Sequence, residues 1–206
     1  FGKHSIGVLA GYSTEQRERD DAFQKHTLFN NDKLITFNES TSSPQNSFYQ
    51  LFEDRMLSGF ARAQYNYSDR YLLAASVRRD GSSRFGKNNL WGVFPSFSAG
   101  WRVSNESFMN NIDFISSLKV RYSIGETGNN TIPLYRSFAE MASSNYSFGN
   151  QISYGLATST LENYDLGWEK TLSSNYALDM GVLKNRIFLS FDYYTKTTSD
   201  MLYYVP

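Results

Sequence analysis

Chemistry needs a nucleophile, an acid–base pair, a metal-ligand set or a phosphate cradle, and the residues that could supply these are few. His4 and His26 are the only imidazoles and there is no cysteine. The histidines stand in a strand start and a polar loop without a spaced partner, so neither a zinc site nor a Ser-His-Asp triad is expected. The stretch Gly81-Ser82-Ser83-Arg84-Phe85-Gly86-Lys87-Asn88 has the glycine and lysine spacing of a phosphate-binding loop. Its last position offers an amide where a metal-binding hydroxyl is needed, and Asn89-Leu90-Trp91-Gly92 runs into a strand. No helix N-terminus follows to hold phosphate. A glycine-rich hairpin loop opened by the turn pair Asp80-Gly81 is the better reading. Asp179 and Asp192 project from the polar faces of adjoining segments and could be imagined as an acid and a base. Facing water and pairing with Lys196 or Arg186 is the expected alternative. Catalytic, cofactor-binding and metal-binding residues are therefore expected to be absent, and the chain is not read as an enzyme.

The elements that carry these residues alternate with period two. Ile6, Val8, Ala10 and Tyr12 alternate with Ser5, Gly7, Leu9 and Gly11. The same habit recurs around Leu57–Tyr67, Tyr71–Arg78, Val93–Val103, Leu118–Ile124, Asn175–Val182 and Ile187–Lys196. That gives about seven segments, each long enough to cross a membrane when tilted, at roughly 9–11 residues. Pro95 falls inside the fourth, where a bulge or a later strand start is expected. One short helix is expected near 106–115.

Composition narrows the solvent that these faces meet. The 206 residues carry 20 basic and 20 acidic side chains, so no net field draws nucleic acid. Aromatic residues reach 17%, with 15 Tyr and 16 Phe, while mean hydropathy is −0.48. Aromatics combined with polar residues suit strands that meet lipid on one side and water on the other. No apolar run of about 18 residues offers a membrane helix. The absence of cysteine is compatible with a periplasmic or outer-membrane address. The sequon Asn66-Tyr67-Ser68 has no meaning in such a strand. No charged-then-apolar leader opens the chain, so an expected signal peptide has been removed or the chain is an interior piece.

Links are short at Ser68-Asp69-Arg70 and Lys184-Asn185-Arg186, and long and polar at 13–52, 80–90 and 126–164. Short periplasmic turns and long extracellular loops are the pattern of an outer-membrane barrel. The Ser68–Arg70 turn is then periplasmic, with Tyr65, Tyr67 and Tyr71 as its interfacial girdle. An antiparallel β-sandwich, read functionally as a carbohydrate-binding or adhesion module, is the alternative.

The run from Tyr65 to Arg102, YNYSDRYLLAASVRRDGSSRFGKNNLWGVFPSFSAGWR, closely resembles the SusC/RagA-like family of TonB-linked transporters. So do LKVRYSIGETGNN from Leu118, LGWEKT from Leu166 and DYYTKTTSDML from Asp192. The resemblance implies an all-β fold: an antiparallel transmembrane β-barrel segment, about seven strands of a 22-stranded barrel, with long extracellular loops. It implies one barrel domain over 1–206, with the plug, TonB box, signal peptide and C-terminal strands outside it. It further implies the outer membrane of a Gram-negative, Bacteroidetes-type bacterium, TonB and a SusD-like surface lipoprotein as partners, and import of oligosaccharides or peptides. No cofactor and no nucleic acid enter this picture. From the polar phase of their strands, Arg62, Gln64, Arg78, Arg102 and Arg121 are expected to face the lumen, pairing with wall or plug carboxylates or touching substrate.

Overall fold

The computed structural model describes residues 2–25, 46–149 and 151–203. Seven strands form one sheet: β1 (His4–Lys25), β2 (Asn46–Tyr67), β3 (Tyr71–Ser82), β4 (Trp91–Arg102), β5 (Ile115–Asn129), β8 (Glu169–Val182) and β9 (Ile187–Ser199). Their spatial order is β1-β2-β3-β4-β5-β8-β9, every neighbouring pair antiparallel. β6 (Glu140–Phe148) and β7 (Gln151–Thr160) make a separate hairpin inside the β5–β8 link.

Because side chains alternate faces and register is continuous across the sheet, one row decides them all. Ile6, Tyr65, Leu73, Ala99, Tyr122, Tyr176 and Tyr193 lie in successive register, so all seven point outward. The adjoining row runs Ser5, Asn66, Leu72, Gly100, Arg121, Ala177 and Asp192 on the opposite, concave face. The outward face is apolar yet open: Val8 is 78% exposed, Val77 43%, Phe97 42% and Phe191 60%. A water-soluble chain rarely leaves such a patch bare.

On β4 the outward phase begins at Trp91 and ends at Trp101. The two rings stand about 33 Å apart along the strand at roughly 3.3 Å per residue. A tilt of about 40° projects that onto roughly 25 Å, the height of the apolar band of an outer-membrane barrel. Tyr67, Tyr71 and Trp101 stack successively at 6.3 and 6.4 Å, forming the girdle expected beside the Ser68–Arg70 turn.

That turn has φ of 53° at both Ser68 and Asp69, with the Arg70 amide donating to the Tyr67 carbonyl at 2.9 Å. This is the primed hairpin geometry that matches strand twist. The β8–β9 turn holds Leu183, Lys184 and Asn185 in the same left-handed region. Both turns and the 103–114 link share one end of the sheet. The 83–90 link and the long excursion that carries β6 and β7 share the other.

Four expectations need correction. The polar stretch 13–52 is no simple loop: β1 and β2 pair residue for residue from His4↔Tyr67 to Lys25↔Asn46. The stretch 126–164 contains the end of β5 and the β6–β7 hairpin. Pro95 causes neither a bulge nor a late start: β4 begins at Trp91, and Val77↔Pro95 sits in unbroken register. The proline is tolerated because the β4–β5 ladder starts only at Ser96, leaving that side of the strand unpaired. In place of a helix over 106–115 there are two single-turn 3-10 helices, Val103–Asn105 and Ser107–Met109. Ordered pairing does show a bulge elsewhere, between Ile115 and Ser117 of β5. There the extra residue, Ser116, accepts the Asn185 amide at 3.1 Å and ties the strand to the β8–β9 turn.

Candidate functional site

The concave face positions the five residues singled out by phase, and they form separate groups. Arg62 and Gln64 are neighbours on β2, where the guanidinium donates to the Gln64 side-chain carbonyl at 2.7 and 2.6 Å once that amide is turned oxygen-inward. Arg78 Nε donates to both oxygens of Asp80 at 2.8 Å and its terminal nitrogen donates to Ser58 Oγ at 3.0 Å. Asp80 and Ser58 are buried. Arg102 lies near the short-turn end, 3.9 Å from Asp69. Arg121 grips Asp179 with two hydrogen bonds, 2.6 and 2.9 Å, and stands 3.8 Å from Asp192.

The last group corrects the expected pairing. Asp179 and Asp192 share Arg121 in place of Lys196 or Arg186, because β8 pairs directly with β5 and the register sets Arg121 in one row with Ala177 and Asp192, with Asp179 two residues along. Ser190 Oγ donates to Asp179 at 2.8 Å and Asn175 to Asp192 at 3.3 Å. Two carboxylates on one guanidinium, each also hydrogen-bonded to a neighbouring side chain, form a wall brace. His4 Nδ1 lies 2.7 Å from the Tyr65 hydroxyl at the short-turn end. His26 lies outside the described residues.

At the long-loop end an apolar cap closes over the same face. Phe85, Phe94, Ile132 and Trp168 form its buried centre, with Met56, Leu166 and Leu202 packed against it. Trp168 meets Phe85 at 4.9 Å and Phe94 edge-on at 5.3 Å, and its indole donates to the Leu90 carbonyl at 3.2 Å. Phe94 sits on the polar phase of β4, where Gly92 and Gly128 leave room for its ring. The phosphate-loop look-alike resolves here as the β3–β4 loop. Its Gly86 amide donates to Leu166 and its Asn88 amide to Tyr164, at 2.9 and 3.2 Å. Any Cβ at Gly86 would enter the Tyr164 carbonyl. Lys87 lies over the Tyr164 ring at 3.6 Å, so the lysine that might have held phosphate is engaged with an aromatic face.

Sequence reasoning missed Glu106, since nothing in spacing links it to the girdle. Its carboxylate accepts from Tyr71 Oη at 2.9 Å, Trp101 Nε1 at 3.1 Å and Arg70 at 3.3 Å, and pins the 103–114 link under the outward aromatic row. The Trp101 indole, then the Tyr71 hydroxyl, hold its carboxyl below the ordinary 4.5. A depressed carboxylate contributes stability that is fully present above that ordinary value and is lost as pH falls through the native one. The stability difference between the full-length protein and its Glu106→Ala variant is expected to shrink progressively below about pH 4.5. A difference that stayed constant through acid denaturation would remove this role.

A curled antiparallel sheet with an open apolar exterior, an ion-braced polar interior and an aromatic row at the short-turn end is a piece of transmembrane β-barrel wall. Comparison with known proteins gives the family. The family model described as TonB dependent receptor-like, beta-barrel, matches residues 2–206. The chain is 41% identical to TonB-dependent receptor P39 of Formosa agariphila, covering 99% of this chain and 20% of that protein. It is 39% identical to TonB-dependent receptor SusC of Bacteroides thetaiotaomicron, over 71% of this chain and 15% of that one. Among solved structures it superimposes on the RagAB peptide transporter at a TM-score of 0.88, with 33% identity, covering 100% of this chain and 23% of that one. This chain belongs to the TonB-dependent receptor β-barrel family, in its SusC/RagA-like branch. It spans about a fifth of the length of the relatives it matches.

Proposed function

We propose that this chain is a wall-and-loop segment of an outer-membrane transporter in a Bacteroidetes-type bacterium. The whole protein would import oligosaccharides or peptides, driven through a plug by TonB and working with a SusD-like surface lipoprotein. Residues 1–206 belong to its single barrel domain. The outward face meets lipid, and the concave face, with Arg62, Gln64, Arg78, Arg102 and Arg121, lines the lumen. The observation that carries this reading is the partition of faces: the same apolar phase stays outward through seven consecutive strands, and ionisable side chains gather on the other. The relatives are named as receptors and transporters, and no catalytic step is assigned to this chain.

Single cysteines in the full-length protein test the assignment, since none occurs naturally in this segment. Cysteines at Arg62, Arg102 and Arg121 are expected to react with a membrane-impermeant maleimide, whereas cysteines at Val77 and Phe97, nearer the middle of the apolar band, react only with a lipid-soluble one. The reverse pattern would place the polar phase toward lipid and end the proposal.

A further inference from the structure

The outward phase of β1–β4 carries one charged side chain between the Trp101 and Trp91 rows, Arg79 on β3. Its register row is Tyr12, Gly59, Arg79 and Val93, two residues to the membrane side of the row that holds Gly81 and Trp91. Its guanidinium nevertheless reaches up to the Trp91 ring and lies 4.5 Å from the centroid. A long cation rooted on an apolar face snorkels toward the interface in this way. Arg79 makes no ion pair among the described residues. The nearest carboxylates are engaged elsewhere: Asp80 is held by Arg78 on the concave side, and Glu53 holds Arg55 at 2.6 Å. Stacking occupies a face of the guanidinium, so its in-plane N–H groups stay free to donate.

The surface changes character on either side of Arg79. Toward the membrane, β2 presents Gly59, Ala61 and Ala63 in the outward phase, a run of small residues between β1 and β3. A Cβ at Gly59 would meet nothing within 4 Å, which leaves an open notch beside Arg79. Toward the loops the wall opens into a groove of about 670 Å³ bordered by Leu57, Trp91, Phe138 and Tyr164. Leu57, Gly81 and Trp91 form the outward row just beyond Arg79, at the level where lipid headgroups begin.

We propose that this outward surface binds an acylated, phosphorylated sugar lipid of the outer leaflet. The phosphoryl group accepts from Arg79, an acyl chain lies over Gly59, Ala61 and Ala63, and the sugar enters the aromatic-walled groove at Leu57, Trp91 and Phe138. The inference rests on the reading that the outward face meets lipid. Charge-assisted hydrogen bonds to the phosphoryl oxygens supply the counter-charge that the protein itself does not give Arg79.

The test uses the full-length protein purified in detergent, with retained lipid counted by native mass spectrometry. The probes are monophosphoryl lipid A, the same lipid after phosphatase treatment, phosphatidylglycerol and inorganic phosphate. Arg79→Gln is expected to weaken retention of monophosphoryl lipid A about tenfold, as loss of a charge-assisted hydrogen bond does, and to leave the phosphatase-treated lipid unaffected. Ala61→Leu, an apolar change on an apolar face, is expected to weaken both. It carries the comparison should Arg79→Gln fail to fold. Equal retention of monophosphoryl lipid A by wild type and Arg79→Gln overturns the proposal. Displacement of the lipid by millimolar inorganic phosphate overturns it in favour of a free-anion site, and equal retention of phosphatidylglycerol removes the sugar from it. A Val77→Cys variant labelled by the membrane-impermeant maleimide would instead remove the reading of the face itself.

Discussion

Replacing Trp168 with alanine is expected to cost about 3–5 kcal/mol of barrel stability, the range for truncating a buried aromatic side chain. The residue is 6% exposed and sits where three separate stretches meet. Phe85 arrives from the β3–β4 loop, Phe94 from the polar phase of β4, and Ile132 from the link after β5. Its ring contacts join the first two, and its indole N–H satisfies the Leu90 carbonyl just ahead of β4. Alanine would leave a cavity among rings that cannot collapse into it, because Gly92 and Gly128 already admit Phe94 as far as it can go. It would also free a carbonyl. Trp168→Phe keeps most of the apolar volume and loses only the hydrogen bond, so its cost should stay near 1 kcal/mol. Denaturation of the full-length protein in detergent reads the difference, and protease sensitivity of 83–90 reports whether the loop has come off 161–168. An unchanged midpoint in Trp168→Ala would mean that the loops hold each other without the cap, through the Gly86–Leu166 and Asn88–Tyr164 bonds alone.

How much of this was legible in the sequence depended on what each face meets. Wherever one face touches lipid and the other water, polarity alternates, and the spans around Leu73, Phe97, Val120 and Leu178 could be read directly. Above the apolar band both faces meet water and the alternation vanishes. Glu15, Gln16, Arg17, Glu18, Arg19, Asp20 and Asp21 run consecutively in β1 with no apolar phase, yet each has a register partner on β2. Their pairing is held by backbone hydrogen bonds and by cross-strand contacts such as the Arg19 guanidinium over the Phe52 ring at 4.5 Å. Nothing periodic announces such a strand. The β6–β7 hairpin was missed for the same reason, since Ser, Thr, Asn and Gly occupy much of both its faces.

Site residues divide along similar lines. The phase of Arg62, Gln64, Arg78, Arg102 and Arg121 follows from alternation, and the register places all five on one face. Which carboxylate each cation finds does not follow, because that depends on strand order and stagger. Arg121 meets Asp179 and Asp192 only because β8 skips over the hairpin to pair with β5. The cap residues run against the pattern. Phe94 is an apolar side chain on the polar phase, and the two glycines that accommodate it were the only local signal.

Introducing arginine at Ala75 is expected to destabilise the barrel by about 2–4 kcal/mol in a bilayer, whereas arginine at Ser76, the next residue, should cost only about 1 kcal/mol. Ala75 points outward, between Ala63 and Phe97 and close to midway between the Trp91 and Trp101 levels. A charge there must leave hydrocarbon or drag water into it. Ser76 points into the concave face, where its loss removes a 2.7 Å hydrogen bond with Ser96 but leaves the new guanidinium in water. A two-sheet sandwich would also punish a charge on the apolar face, so depth supplies the discriminating comparison. Thr14 shares the outward phase but stands in the Trp91 row, through Leu57 and Gly81. In a barrel, arginine at Thr14 should cost about 0–1 kcal/mol, because the headgroup region solvates it. A sandwich core has no such gradient along the strand. Reversible denaturation of the full-length protein from lipid vesicles measures all three. A large penalty at Ala75 that fades at Thr14 and is nearly absent at Ser76 identifies lipid as the solvent of the outward face. Equal penalties at Ala75 and Thr14 would mean that protein covers it.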